Sequence, residues 1–150
     1  MRKFSSILIV GVGSIGKRHF SLFKKYFEKI DLCDVNLGRC KSIMKDNKKI
    51  INKIGSNFSK MISKNNYKVV CITTPPHMHL KIAELAIKSN ANIFIEKPLG
   101  MNNKGWKKIS LECKKKKLVN FIAYCHRFIP YTKILKNILK SNKIGKVHFV

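Results

Sequence analysis

Glycines at positions 11, 13 and 16, in Gly11-Val12-Gly13-Ser14-Ile15-Gly16, constrain this chain more than any other feature. Glycines fall at that spacing by chance, so the context decides. A short apolar run at 4–10 leads into them, and Ile15, His19, Leu22, Phe23 and Tyr26 follow at helical spacing. The loop therefore joins a strand to a helix. A second apolar run, with Ile30, Leu32 and Cys33, ends at the acidic Asp34, about 20 positions past the loop. Strand, glycine loop, helix and distal acid together form the complete fingerprint of a dinucleotide-binding Rossmann unit.

Each part has a physical reason. Gly11 permits the tight turn, Gly13 lets the backbone approach a pyrophosphate, and Gly16 lets helix and strand pack closely. The pyrophosphate then lies on the unpaired N–H groups of the helix N-terminus, where Ser14 and Ile15 stand, with Lys17 and Arg18 adding positive potential. Asp34 can accept from both hydroxyls of the adenosine ribose, and its charge repels a 2′-phosphate. NAD is therefore favoured; Arg39 lies close enough to keep NADP open.

The rest of the chain alternates in the same way. A polar helix is expected over 36–47, with Leu37, Cys40, Ile43 and Met44 inward. A short third strand around Ile50, Ile51 and Ile54 ends at Gly55, with a short helix beyond. Lys68 to Ile72 is a buried strand that Thr73-Thr74-Pro75-Pro76 stops. His79, Ile82, Ala83, Ala86 and Ile87 then mark a helix face, and Asn92 to Ile95 a further strand broken by Glu96-Lys97-Pro98-Leu99-Gly100. A helix with Trp106, Ile109 and Cys113 runs into Lys114 to Lys117, cations suited to a helix C-terminus. Leu118 to Tyr124 reads as a sixth strand. Pro130 opens a helix with Ile134, Leu135, Ile138 and Leu139 inward, and Lys146 to Val150 begins another strand. Strands alternating with helices imply an α/β fold with a doubly wound, mostly parallel sheet.

The 150 residues suffice for one domain and hardly for two. A chain stopping within a newly started element reads as one half of a longer protein: a nucleotide-binding domain over 1–124, and over 125–150 a linker, helix and first strand of a truncated α+β substrate domain. Charge is the anomaly, with 32 Lys and Arg against 7 Asp and Glu. All but four of those cations are lysines, spread along the chain, whereas nucleic-acid readers favour Arg forks and stacking aromatics. The excess reads as a usage bias, with no specific nucleic-acid partner. The five cysteines show no CxxC pair or zinc spacing, so no metal site is expected. Their odd number suits reduced thiols in a cytoplasmic protein. No apolar run is long enough to cross a bilayer, and Ile7 to Val10 is too short for a signal peptide.

In doubly wound sheets, ligands bind beyond the carboxyl ends of the strands. Thr73 to His79 and Glu96-Lys97-Pro98 both fall at such ends, so both should face the cofactor. Thr74-Pro75-Pro76-His77-Met78-His79, followed by Glu96-Lys97-Pro98-Leu99, resembles the signature of the Gfo/Idh/MocA oxidoreductases, the glucose–fructose oxidoreductase and inositol dehydrogenase family. Cys125-His126-Arg127-Phe128-Ile129-Pro130 and Lys143-Ile144-Gly145-Lys146-Val147 are similar to that family's next landmarks, in order and spacing.

The resemblance implies roles. Lys97 would stand between nicotinamide and the substrate hydroxyl, favouring developing alkoxide or joining a proton relay. Glu96 would bond the nicotinamide ribose. Pro98 would follow a cis peptide that aims Lys97 inward. Thr73, Thr74 and Pro75 would line the dinucleotide through their backbone, and Arg127 would reach cofactor or substrate. His79, counted with the cofactor residues, is better suited to packing within its helix than to catalysis. The implied substrate is a small carbohydrate: a sugar, cyclitol or sugar derivative. The full-length protein would be a homo-oligomer. In the family a second domain supplies the main acid/base, so this chain alone should hold cofactor without turning over substrate. The rival readings are a stand-alone dinucleotide-binding module and a basic nucleic-acid-associated protein.

Overall fold

A computed structural model describes residues 3–148. Six parallel strands, β1 (Phe4–Val10), β2 (Phe27–Cys33), β3 (Ile51–Gly55), β4 (Val69–Ile72), β5 (Asn92–Ile95) and β6 (Asn120–Ile122), form one sheet in the order β3-β2-β1-β4-β5-β6. Between them run α1 (Ser14–Phe23), α2 (Leu37–Asp46), α3 (Phe58–Lys64), α4 (Pro76–Lys88) and α5 (Trp106–Lys115). The chain winds from β1 outwards to β3, returns through α3, and winds the other way to β6. Right-handed crossovers then place α1 and α2 on one face and α3, α4 and α5 on the other.

Strand alternation divides the core accordingly. Leu8, Val10, Val70, Ile72, Ile93 and Ile95 pack with Ile82, Ala83, Ile109 and Cys113 of α4 and α5. Ile7, Ile9, Ile30, Leu32 and Cys71 pack with Phe20 of α1 and Cys40 of α2. Asn36 caps α2 by accepting from Gly38 N, and Asn57 caps α3 by accepting from Lys60 N. Lys116 donates through Nζ to the Ile87 carbonyl and Asn90 Oδ1. That lysine therefore serves the C-terminal end of α4, the neighbouring helix, rather than its own.

Register matters most for function. Val10 stands opposite both Cys33 and Ile72, and Ile72 opposite Ile95. The strands thus end level. The ladder runs one residue further through Gly11 N to Cys33 O, Thr73 N to Val10 O and Glu96 N to Ile72 O. Asp34, Gly11, Thr73 and Glu96 consequently stand in a row along the carboxyl edge.

Several expectations need correction. On α1 the expected His19 and Phe23 do face the sheet, beside the fully buried Gly16 and Phe20, while Ile15 and Leu22 are exposed; Tyr26 lies beyond the helix end. On α2 only Cys40 is fully buried, and Leu37 is exposed. The sixth strand keeps three residues, because only Ile93, Phe94 and Ile95 of β5 face it. After a 3-10 turn at Cys125–Phe128, α6 (Pro130–Lys140) turns Ile134, Leu135 and Leu139 to solvent rather than inward. Its amphipathic face is real, but no described layer covers it. Lys146 to His148 form no strand, having no described strand to pair with; Phe149 and Val150 lie outside the described residues.

Candidate functional site

The glycine loop is held from behind. Gly11 takes φ +92°, and a Cβ there would come within 2.7 Å of the Thr73 carbonyl oxygen. A Cβ on Gly16 would lie 2.0 Å from the Gly11 carbonyl oxygen. Thr73 donates through Oγ1 to the carbonyls of Val10 and Gly11, which locks the turn to β4. Gly13 is different: a Cβ there would meet nothing within 4 Å. Gly13 is the N-cap of α1 and supplies no side-chain cap, so the N–H groups at Ser14 and Ile15 lack a helical partner. The open side of this loop suits the close approach of an anion.

Asp34 is tied to that loop. Its Oδ2 accepts from Val12 N at 2.7 Å and its Oδ1 from Asn36 N at 2.8 Å. The carboxylate side chain is 5% exposed, with the half-exposed Arg39 guanidinium 3.6 Å away. Each oxygen keeps a further lone pair for a ligand hydroxyl. A cleft of about 400 Å³ opens here, lined by Gly11, Gly13, Asp34, Arg39, Thr74 and Met78 among others. Its wall includes Cys33. Burial first, then the neighbouring Cys40 and Asp34, push the Cys33 thiol up to about 12; burial and Asp34 push Cys40 up to about 11. Both remain neutral, apolar wall at physiological pH. Thr74 Oγ1 is buried without a partner among the described residues, which fits a polar ligand beside it.

The second motif closes the other end of the row. Pro75 is the N-cap of α4 and Pro76 its first residue, a position where the missing N–H costs nothing. His79 is 1% exposed. Its Nε2 lies 2.8 Å from the Thr74 carbonyl and its Nδ1 3.2 Å from the Leu99 carbonyl. The ring thus spans the two loops and does not face the cleft. Glu96 continues the alternation that puts Phe94 on the α1 face, and its Oε1 accepts from His19 Nε2 at 2.7 Å. Its Oε2 accepts from Lys97 N at 3.0 Å. The Lys97–Pro98 peptide is cis, as the resemblance implied. Lys97 is exposed, its ammonium without a hydrogen bond or ion pair among the described residues. Arg127 follows β6 in the 3-10 turn, with its side chain exposed.

Two polar residues escaped the sequence reading. In the sequence His19 is only a helix-face position; in the fold it stands one turn past Gly16 on the face towards the sheet. Asp31, on β2, is buried and accepts from Tyr67 Oη and Lys53 N. It lies away from the carboxyl edge and joins three segments of the fold.

Residues 5–124 match the Gfo/Idh/MocA oxidoreductase family, described by its NAD-binding Rossmann fold. The chain belongs to this family. Among curated family members, the inositol 2-dehydrogenase of Salmonella typhimurium (strain LT2) is 30% identical over 142 residues, covering 92% of this chain and 42% of that protein. The scyllo-inositol dehydrogenase of Lactobacillus casei, with bound NAD(H) and scyllo-inositol, shares the fold at a TM-score of 0.81. It is 21% identical, over 94% of this chain and 42% of that one. The WlbA dehydrogenase of Bordetella pertussis, in complex with NADH and UDP-GlcNAcA, superposes at 0.80 with 20% identity, over 97% and 44% respectively. The chain therefore spans less than half the length of these relatives. It carries the family's NAD-binding domain, on a six-stranded parallel sheet. No described helix is long and apolar enough to cross a membrane.

Proposed function

We propose that this chain is the cofactor-holding half of an NAD-dependent dehydrogenase acting on a cyclitol, a sugar or a sugar derivative. The observation that carries this reading is the level row of strand ends. It places the glycine loop and Asp34 on one side of the crevice and Glu96-Lys97 on the other, about the arrangement a dinucleotide needs across a switch point. Residues 1–124 form the binding domain and 125–150 lead into the substrate domain.

The chain's own residues divide the work. Gly13, Ser14 and Ile15 hold the pyrophosphate on backbone N–H groups, while Gly11 and Gly16 give the loop the tight turn and close packing that expose them. Asp34 accepts from the adenosine ribose, favouring NAD over NADP, while Thr73, Thr74 and Pro75 line the middle of the cleft. His79 serves this lining indirectly, by fixing the Thr74 carbonyl. Glu96 accepts from the ribose on the nicotinamide side. Bound NAD supplies the hydride acceptor. Lys97 would place its ammonium at the substrate hydroxyl, where positive charge favours the alkoxide that forms as the hydroxyl proton leaves and that becomes a carbonyl as the hydride departs. Arg127 extends the positive edge towards the substrate.

Calorimetric titration of the 150-residue chain with NADH and NADPH tests the cofactor reading. Saturable binding, tighter for NADH, is expected; no saturable binding to either would refute the assignment.

A further inference from the structure

Glu96 does not set its own orientation. One carboxylate oxygen accepts from the following backbone N–H, and the other from His19 Nε2, an imidazole 77 residues earlier in the chain. That imidazole is itself fixed. It stacks on Phe23 at 5.5 Å between centroids, with planes 17° apart, and meets the edge of Phe94 at 5.0 Å and 70°. Both members of the pair are largely buried, at 12% and 18% side-chain exposure, where a hydrogen bond to a carboxylate is stronger than at the surface. His19 rides on α1, the helix whose N-terminal turn carries Ser14 and Ile15. One rigid element therefore links the anion-binding loop to the carboxylate across the crevice.

We infer that His19 is a positioning residue, which holds Glu96 in the orientation that receives the nicotinamide-side ribose. This rests on the cofactor-site reading proposed above. A purely structural His19–Glu96 pair would join α1 to the end of β5 and affect the whole fold alike. A positioning pair acts on one half of the ligand. ADP carries the adenosine and phosphates but lacks the nicotinamide-side ribose, so the ratio of NADH to ADP affinity separates the two roles.

The experiment is calorimetry of the 150-residue chain and its variants with NADH and with ADP. H19F keeps an aromatic ring in the stack and removes the donor. It should weaken NADH about tenfold, as expected for a lost hydrogen bond to a charged group. ADP affinity should stay within about twofold. E96Q should lose a similar factor, and H19F/E96Q no more than E96Q alone. H19Q, whose amide N–H can stand where Nε2–H stood, should recover most of the NADH affinity even if H19F folds poorly. Unchanged NADH binding in H19F, or equal losses for NADH and ADP, would overturn the inference. Failure of the unsubstituted chain to bind NADH would overturn the cofactor-site reading itself, and this inference with it.

Discussion

A methyl group added at Gly16 would sit 2.0 Å from the Gly11 carbonyl oxygen, a backbone atom that cannot swing aside. Gly16→Ala should therefore cost about 1–3 kcal/mol of stability by urea unfolding, since one part of the loop must move. Gly13→Ala meets no protein atom, and Gly13 has an ordinary φ of −71°. That variant should unfold as the parent does while losing NADH affinity about tenfold or more; parental affinity would remove Gly13 from the ligand surface. The spacing of the glycines made these separate jobs legible in the sequence. It could not show that Asp34 braces the same loop through Val12 N, a contact across 22 residues. Asp34→Ala should consequently lower the melting temperature as well as NADH affinity, because two backbone N–H groups lose their acceptor. The thiols beside it add a pH dependence. Cys33 and Cys40 ionise near 12 and 11 in the folded chain, against an ordinary 9.0. Above pH 9.0 the unfolded chain sheds these protons first, so their contribution to stability is full below 9.0 and lost as pH rises towards 11 and 12. Thermal melts in alkaline buffer should show that decline, with a shallower slope in Cys40→Ala.

Helices α4 and α6 carry the same kind of apolar periodicity and end in different surroundings. Ile82, Ala83, Ala86 and Ile87 of α4 are buried against the sheet, whereas Ile134, Leu135 and Leu139 of α6 face solvent. Periodicity states which face of a helix is apolar; what covers that face is a tertiary fact. Element types and order were readable because the strand runs are short, apolar and bounded by Gly, Pro or Asp. The edge strand was overextended for the same reason, since pairing with β5 rather than hydropathy sets its ends. His19 was missed at this scale too: α1 and β5 are remote in sequence, and only the sheet register brings the Glu96 carboxylate onto the α1 face. Ile82→Ala should cost about 2–5 kcal/mol, and Leu135→Ala within about 0.5 kcal/mol of none, in the same denaturant series. Equal losses would mean that α6 is packed against another surface in solution.

Charge and catalytic competence belong to the whole molecule. The formal +25 is carried mainly by dispersed lysines, so binding to duplex DNA should ignore sequence and collapse as salt rises. Sequence-selective retention at physiological salt would revive the nucleic-acid reading. Turnover is a stricter test. Moving a hydride from a carbinol carbon requires a group that takes the hydroxyl proton. Glu96 already accepts from His19 and Lys97 N, and both nitrogens of His79 stand against backbone carbonyls, so neither is poised to take that proton. Asp34 is buried at the far end of the row, bonded to Val12 N and Asn36 N. An ammonium at Lys97, in the role proposed above, would favour an alkoxide but has no lone pair with which to accept the proton. The 150-residue chain, mixed with NAD and myo-inositol, should therefore bind the nucleotide and accumulate no reduced nicotinamide by absorbance. Turnover that vanished in Lys97→Ala would show instead that Lys97 and solvent suffice for the proton transfer.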